Sequence, residues 1–463
     1  MGGAEALQAV ADVMREMTGT RSDQGQGLQP VSTSNDDQPP VTNTYRKFIS
    51  VRDLHGQRAM DYREATSPGG QPLRFRFIVT PNAAFSINHV TQTVRQSPPP
   101  VIATLRAAAF RRYPESLLQK AWSRPESLRW LADTEYNGRK HRVVSFADTD
   151  GEQIALYFDA QTHLLTKSEV LTDDPVLGDV TAEVIYSDWR PVNKIMLPFR
   201  YTDRVGGRIL SDLRAASILL DTRPDDSVFA PPEGLAKIEP VAPTPAIKKV
   251  ADNIYVLLGS YNSMFVVFND YVLVIEAGAN SRSTQMAVAE IKKVVPDKPI
   301  RYLVSTHFHF DHVGGVRSYI AQGTTIITTP SAKRVIEQAA AATHAMHPDA
   351  LSRTPRSPVV EVLNGKRVFD DGTQAVELYE FTSPHVSEMI VAYFPKEKIL
   401  FEGDLLDLDI PEGGTAAAGE DTADLLNRIQ KLGLQVERII PVHGRIGTMS
   451  DLRQAVGKQA TGR

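Results

Sequence analysis

The 463-residue sequence contains no cysteine. This absence excludes disulfide bonds, thiolate metal ligands and a cysteine nucleophile, so any metal site must be built from histidine and carboxylate side chains. No run approaches the roughly eighteen apolar residues that span a bilayer, and no transmembrane segment is predicted. The net charge is −4, and lysine and arginine form no cluster, which argues against nucleic acid as a partner.

A chain of this length exceeds what one hydrophobic core normally covers, so two or three domains are expected. Leu7, Val10, Met14 and Met17 follow one another at three- and four-residue spacing, which predicts an amphipathic helix from Ala4 to Met17. The predicted divisions are a helix and flexible linker at 1–44, a mainly antiparallel β-domain at 45–230, a spacer with five prolines at 231–247, and a domain of alternating strands and helices at 248–463.

The most informative segment is His307-x-His309-x-Asp311-His312, which places three of the eleven histidines within six positions. An apolar run precedes it and two glycines follow it, so a tight turn at the end of a strand is predicted. Neutral imidazoles and a carboxylate are ligands that zinc takes at about 2.0–2.2 Å, and iron or manganese can use the same set. The segment therefore predicts a metal site.

Three later segments repeat the pattern of a β-type run that ends on a metal-capable residue. These residues are His385, Asp404 and His443. A histidine or aspartate repeated at strand ends is how an αββα sandwich gathers ligands at one edge.

Together and in this order, the four segments resemble the metallo-β-lactamase superfamily of binuclear metallohydrolases, over residues 248–455. The resemblance implies an α+β chain whose C-terminal part is an αββα sandwich with two bound metal ions, expected to be Zn²⁺. It implies that one ion is held by His307, His309 and His385, that the other is held by Asp311, His312 and His443, and that Asp404 bridges the two.

The resemblance also implies hydrolysis by a metal-bridging hydroxide, with Asp311 as the catalytic residue that orients the nucleophile and passes on a proton. The leading hypothesis is a dinuclear zinc hydrolase that cleaves a carbonyl ester, lactone or amide bond of a small molecule. Alternatives are β-lactamase-type hydrolysis of a cyclic amide, a di-iron redox protein, and a non-catalytic binding protein on the same fold. The oligomeric state is left open.

The residues that contact the substrate are less sharply indicated. Tyr261 and Asn262 lie in a loop where superfamily members often carry a mobile segment beside the metals, although turn chemistry explains them equally well. His344 and His347 have helical spacing and are predicted to form one wall of the cleft rather than a third metal site. Glu276 stands where the family usually has a supporting aspartate, and its longer carboxylate can still accept hydrogen bonds from the metal-binding loop.

The β-type runs of residues 45–230 include Leu156-Tyr-Phe-Asp-Ala160 and Leu197-Pro-Phe199. They resemble the curved sheet of bacterial outer-membrane lipoprotein carriers. This resemblance implies a periplasmic or secreted protein. The N-terminus lacks the basic and apolar stretches of a signal peptide, which taken alone would indicate the cytoplasm.

Overall fold

The computed structural model describes residues 1–22, 25–30, 41–66, 72–239, 244–408 and 419–461. The chain forms two compact units. The first comprises Met1–Asp23, Thr33–Thr172 and Val180–Pro240, and the second comprises Gln24–Ser32, Asp173–Asp179 and Val241–Arg463.

The first unit is built on one large, mainly antiparallel sheet. Its described strands are β1 (Asp12–Arg21), β2 (Asn43–Asp53), β3 (Arg58–Thr66), β4 (Pro72–Val79), β5 (Ala84–Asn88), β6 (Thr93–Gln96), β7 (Arg129–Tyr136), β8 (Arg139–Ala147), β9 (Gln153–Asp159), β10 (Leu165–Asp174), β11 (Gly178–Val192), β12 (Ile195–Val205), β13 (Arg208–Leu220) and β14 (Ala236–Ile238). Their order across the described sheet is β14-β6-β5-β4-β3-β2-β1-β13-β12-β11-β10-β9-β8-β7.

Helices α1 (Ala4–Gln8), α2 (Pro99–Arg111) and α3 (Pro114–Ser123) accompany this sheet. Leu117 of α3 packs with Phe48, Phe146 and Tyr201 of the strands in one buried cluster. Asn137-Gly138 joins β7 to β8, and both residues have the positive φ values, 50° and 70°, that a type I′ hairpin turn requires. The antiparallel domain expected from the alternating pattern is therefore present.

The predicted helix from Ala4 to Met17 is wrong. Helix α1 ends at Gln8, and the following residues form β1, which pairs with β2 on one side and β13 on the other. Leu7 and Val10 do pack as expected, but Val13 and Met17 are buried as strand residues. Pairing along both edges of β1 outweighs the local helical spacing, which is a weak preference by comparison.

The second unit contains two sheets and the helices that cover them. Its described strands are β15 (Ala246–Ala251), β16 (Ile254–Leu258), β17 (Ser263–Val267), β18 (Val272–Ile275), β19 (Ile300–Val304), β20 (Thr325–Thr328), β21 (Val359–Val362), β22 (Lys366–Asp370), β23 (Ala375–Phe381), β24 (Met389–Phe394), β25 (Ile399–Glu402), β26 (Arg438–Pro441) and β27 (Gly447–Thr448). Its described helices are α4 (Ser281–Val294), α5 (Phe310–Val313), α6 (Val316–Gln322), α7 (Pro330–Ala341), α8 (Ala350–Arg353), α9 (Glu420–Lys431) and α10 (Met449–Thr461).

Strands β15 to β21 form one sheet and β22 to β27 form the other, each in sequential order. Residues such as Val266 and Leu273 of the first sheet meet Leu378 and Phe401 of the second in a shared apolar cluster. A second cluster joins other strand residues to helical ones, including Ile291, Ile336, Leu425 and Leu452. These layers confirm the αββα sandwich predicted from the sequence.

Residues 25–30, from the first predicted linker, belong to the second unit. Strand β14 lies within the proline-rich spacer, and β15 begins before the spacer was expected to end. Parts of both linkers, 23–24, 31–40 and 240–243, lie outside the described residues. Within the described chain, no helix is long and apolar enough to cross a membrane.

Candidate metal centre

The histidine-rich segment lies at the end of β19, as the sequence predicted, and runs into the short helix α5. His307, His309, Asp311 and His312 are all buried. The glycines that follow allow this turn to pack closely. A Cβ atom on Gly315 would lie 1.9 Å from Oγ1 of Thr284, which no side chain could tolerate.

The other three predicted ligands also follow strands. His385 comes after β23, Asp404 after β25 and His443 after β26. Asp404 has a φ of 61°, in the left-handed region that non-glycine residues seldom occupy. Such backbone strain is commonly kept where a side chain must point in one functional direction.

The structure brings all seven predicted ligands together in two groups that share Asp404. In each group, one ligand atom from every residue lies within 4.8 Å of the others. The first group is His307, His309, His385 and Asp404, and the second is Asp311, His312, Asp404 and His443. This is the division that the family resemblance implied.

The donor atoms of the first group suit a metal ion. Thr306 Oγ1 lies 3.0 Å from Nδ1 of His307 and fixes the ring. The buried Nε2 of His307 has no hydrogen-bond partner among the described residues. Nδ1 of His309 and Nε2 of His385 lie only 3.1 Å apart. Imidazole nitrogens converging with a carboxylate are what zinc and similar ions bind, so the site can hold metal.

Asp404 is the electrostatic centre of the site. Its Oδ2 lies 3.1 Å from Nε2 of His312 and 3.3 Å from Nε2 of His385, and its Oδ1 lies 3.0 Å from Nε2 of His443. Burial alone would raise the pKa of Asp404, but the charge of His312 and the hydrogen bonds from these rings hold that pKa well below its usual value. Asp404 is therefore an anion whose oxygens face both groups.

The pKa values of the histidines in the site are shifted in opposite directions. Burial, together with the neighbouring His385, lowers the pKa of His309 to about 3. Burial also opposes protonation of His443, but hydrogen bonds to Asp311 and Asp404 raise its pKa to about 10. Without metal, a protonated histidine such as His443 therefore supplies positive charge that balances the carboxylates of the cluster.

Glu276 supports the second group from behind. Its Oε1 accepts a hydrogen bond of 3.3 Å from the backbone N–H of Thr306, which confirms the expected contact with the metal-binding loop. Its Oε2 lies 3.2 Å from Nδ1 of His312, so the other ring nitrogen faces Asp404. A carboxylate behind a histidine fixes which nitrogen is available to a metal.

Asn262 was predicted as a pocket residue, and the structure places it differently. It is 2% exposed, and its Nδ2 donates to the carbonyls of Pro441 and Gly444 at 2.9 and 2.7 Å. Its Oδ1 accepts from the backbone N–H of Gly259. These bonds tie Asn262 to the backbone on both sides of His443 and occupy its amide group.

Tyr261 lies beside the second group. Its ring centroid is 5.3 Å from that of His443, in an edge-to-face arrangement. Burial and the charge of Asp311 raise the pKa of its hydroxyl, so it stays protonated at neutral pH. A role for Tyr261 in substrate binding remains a prediction.

His344 and His347 do not join the metal groups. His344 is buried and its Nδ1 bonds to Oδ1 of Asp173, whereas His347 is exposed. In the described chain, neither belongs to a cluster of three or more potential ligands, so a third metal site is not supported. Their predicted place in the cleft wall stays a prediction.

Two contacts of the centre were missed from the sequence. Gln26 Nε2 donates to Oδ1 of Asp311 at 2.7 Å, and the carbonyl of Gly27 lies 2.9 Å from Nε2 of His309. Gln26 and Asp311 are 285 positions apart, and the segment around Gln26 shows no metal-binding pattern.

A family model, a curated protein and several solved structures are similar to parts of this chain. The family model described as the metallo-beta-lactamase superfamily matches residues 256–443. The linear primary-alkylsulfatase of Pseudomonas sp. (strain ATCC 19151) is 33% identical over 51 residues, which are 11% of this chain. That match spans 10% of the sulfatase's own length.

Solved structures similar to this chain include a metallo-beta-lactamase from Pontibacter korlensis, 19% identical with a TM-score of 0.34. It is matched over 97% of its length and 46% of this chain. The DIM-1 metallo-beta-lactamase exposed to ceftazidime is 20% identical with a TM-score of 0.36, over 99% of its length and 48% of this chain. The mono-zinc form of FIM-1 from Pseudomonas aeruginosa is 17% identical with a TM-score of 0.35, over 97% of its length and 47% of this chain.

Proposed function

Because residues 256–443 form a domain of the metallo-β-lactamase superfamily, we propose that this protein is a dinuclear zinc hydrolase of small molecules. The proposed reaction is cleavage of a carbonyl ester, lactone or amide bond. The observation that carries the proposal is the pair of ligand groups that share Asp404, with five histidines and two aspartates converging from four strand ends. Such a centre suits water activation more directly than it suits simple structural metal binding.

Seven residues would take the metal-binding roles in this proposal. His307, His309 and His385 would hold one ion, Asp311, His312 and His443 would hold the other, and Asp404 would contact both. When bound, two such ions supply a water of lowered pKa and a positive charge for the oxygen under attack.

Asp311 is the proposed catalytic residue. Its Oδ2 faces Nε2 of His443 at 3.3 Å, and its Oδ1 accepts from Gln26. Burial would raise the pKa of Asp311, but the charge of His312 and the hydrogen bond from His443 lower it, so the carboxylate is ionised at neutral pH. A fixed carboxylate among the ligands can accept a proton from the attacking water and return it to the leaving group.

A cyclic amide, as in β-lactamase-type hydrolysis, is a narrower form of the proposed substrate class, and two other chemistries compete with the proposal. A sulfate ester is a further candidate because the alkylsulfatase shares a short stretch of sequence. An iron-containing redox centre could use the same nitrogen and oxygen ligands.

A substrate screen with matched variants tests the proposal. Purified protein is analysed for bound metal and assayed on lactones, aryl esters, cephalosporins and alkyl sulfates, alongside His309→Ala, Asp311→Asn and the exposed control His55→Ala. We expect two zinc ions per chain in the wild type, and turnover lower by roughly 10²- to 10⁴-fold in the first two variants but not in the control.

Each alternative has its own outcome in this screen. Two irons per chain with a visible absorption band would overturn the zinc assignment. Turnover of sulfate esters alone would replace the carbonyl substrate class. Equal activity in wild type, His309→Ala and Asp311→Asn would refute the site, and no turnover of any substrate by metal-loaded wild type would favour a binding protein.

A further inference from the structure

A short stretch from the N-terminal part of the sequence lies against the metal centre. Residues 25–28, Gly-Gln-Gly-Leu, are here called the 25–28 segment, and they belong to the second unit. The predicted ligands that they approach lie almost three hundred positions further along the chain. The contact is therefore a feature of the fold that no local pattern encodes.

Four hydrogen bonds tie the 25–28 segment to the two loops that carry ligands of the first group. The carbonyl of Gly25 accepts from the backbone N–H of Phe310 at 3.3 Å, and the carbonyl of Leu28 accepts from the backbone N–H of Ser387 at 3.0 Å. The other two bonds go directly to ligand side chains. The segment thereby connects the loop of residues 306–312 with the loop of residues 383–388.

The hydrogen bond from Gln26 to Asp311 uses only one of the two carboxylate oxygens of Asp311. Gln26 Nε2 donates to Oδ1 at 2.7 Å. Oδ2, the other oxygen, faces Nε2 of His443 at 3.3 Å and Nε2 of His312 at 3.6 Å, which are members of the same group. The amide of Gln26 therefore holds the carboxylate from the side away from His312 and His443.

The same arrangement occurs at His309. Its Nε2 lies 2.9 Å from the carbonyl of Gly27, and because a carbonyl only accepts, this nitrogen must carry the proton. The neutral ring then presents the lone pair of Nδ1, and this is the atom that lies 3.1 Å from Nε2 of His385. The Gly27 carbonyl selects the tautomer that directs Nδ1 into the first group.

We infer that the 25–28 segment completes the metal centre, with Gln26 as a positioning residue for Asp311 and the Gly27 carbonyl as the group that orients His309. This inference rests on the proposed metal-binding function. The two contacts use Oδ1 of Asp311 and Nε2 of His309, and they leave Oδ2 of Asp311 and Nδ1 of His309 available to a metal ion. The segment therefore supports metal binding and does not compete with it. Partners of this kind typically change metal affinity about 10- to 100-fold when they are removed.

Substitution of Gln26 in the full chain tests the inference. Gln26→Ala removes the donor, and Gln26→Glu places a second carboxylate against Asp311 in nearly the same volume. The matched control is Gln29→Ala, because Gln29 is an exposed residue of the same type three positions away. Zinc affinity is measured by competition with a chromogenic chelator, and the ligand field is measured from the visible spectrum of cobalt-substituted protein.

We expect zinc affinity to fall about 10- to 100-fold in Gln26→Ala and further in Gln26→Glu, with altered cobalt bands in both and no change in Gln29→Ala. Wild-type affinity and an unchanged cobalt spectrum in both Gln26 variants would overturn the inference. Unchanged affinity with raised hydrolytic activity would also overturn it, because the segment would then be a cover that blocks the site. Failure of the wild type itself to bind zinc would instead refute the proposed function.

Discussion

Each compact unit buries a cluster of charged side chains, but the two clusters are balanced differently. In the first unit, Arg15 and Glu115 are fully buried, with 2.7 Å between Nη2 and Oε1. Arg52 pairs with Asp61 at 2.8 Å, and both guanidinium groups lie against the ring of Tyr113. Each buried cation in this cluster therefore has its own carboxylate.

The cluster of the second unit lacks such permanent cations. Among the described residues, every ion-pair partner of Glu276, Asp311 and Asp404 is a histidine, which is positive only when protonated. Burying a charge is costly unless it is paired. In the first cluster, arginine side chains balance the charge of the buried carboxylates. In the second cluster, that charge is balanced only by protons on histidine or by metal ions. Counting permanent partners separates a structural ion-pair network from a candidate functional site.

The largest expected effect comes from breaking the balanced cluster. Glu115→Ala leaves the Arg15 guanidinium buried without its carboxylate, and we expect the free energy of unfolding of the first unit to fall by about 3–5 kcal/mol. All three tryptophans, Trp122, Trp130 and Trp189, lie in this unit, so their fluorescence during denaturation reports its stability.

The control for this change is Glu233→Ala, at an exposed position of the same unit. It should alter stability by less than about 0.5 kcal/mol. Zinc content should stay the same in both variants, because the first cluster takes no part in metal binding. A loss of zinc from Glu115→Ala, at a concentration of denaturant where the chain is folded, would contradict the separation of the two clusters.

Much of the second unit could be predicted from the sequence because its signals are local. Apolar runs at 264–268 and 271–275 overlap β17 and β18, and the histidine-rich segment follows a strand directly. Asp404 and His443 stood out because each ends a β-type run, and their roles as ligands came from the resemblance to the metallo-β-lactamase superfamily. Periodicity along the chain is sufficient to predict strands, but not a ligand set.

The errors and omissions arose where distant pairing decides the structure. Residues 12–17 were predicted as helical, and they became part of β1 because β2 pairs with one of its edges and the distant strand β13 pairs with the other. The contact between Gln26 and Asp311 had no signal, since glycine and glutamine in a polar stretch are typical of a linker. Asn262 looked like a turn residue, and only the structure shows its bonds on both sides of His443.

A smaller effect is expected from removing metal. Binding to the native state stabilises it by RT ln(1 + [L]/Kd), which is about 2.7 kcal/mol at a free metal concentration of one hundred times Kd. Chelation should therefore lower the unfolding temperature of the second unit in calorimetry. The tryptophan transition of the first unit should not move, because its buried cations are already paired.

His307→Ala provides the internal control for chelation. Its side chain belongs to the first ligand group, so the calorimetric transition that responds to chelator in the wild type should respond much less in the variant. A shift of the tryptophan transition as large as that of the second unit would contradict the comparison, since it would show that metal stabilises both units equally.

The smallest expected effect, that of a change of one pH unit on metal affinity, distinguishes the clusters most sharply. Hydrogen bonds to Asp311 and Asp404 outweigh burial and raise the pKa of His443 to about 10, so metal binding at neutral pH must release its proton. Affinity should rise about tenfold for each pH unit and each proton released between pH 6 and 8, or about 1.4 kcal/mol.

The balanced cluster should respond only to much stronger acid. Burial alone would raise the pKa of Asp61, but the charge of Arg52 lowers it from 3.8 to about 2. Because the folded pKa is the lower one, this pair stabilises the first unit above about pH 4 and loses its contribution as the pH falls towards 2. Zinc titrations and tryptophan-monitored denaturation at pH 6, 7 and 8 should therefore show rising metal affinity at constant stability of the first unit. Metal affinity independent of pH in this range would mean that the carboxylates of the second cluster are balanced by something other than protonated histidine.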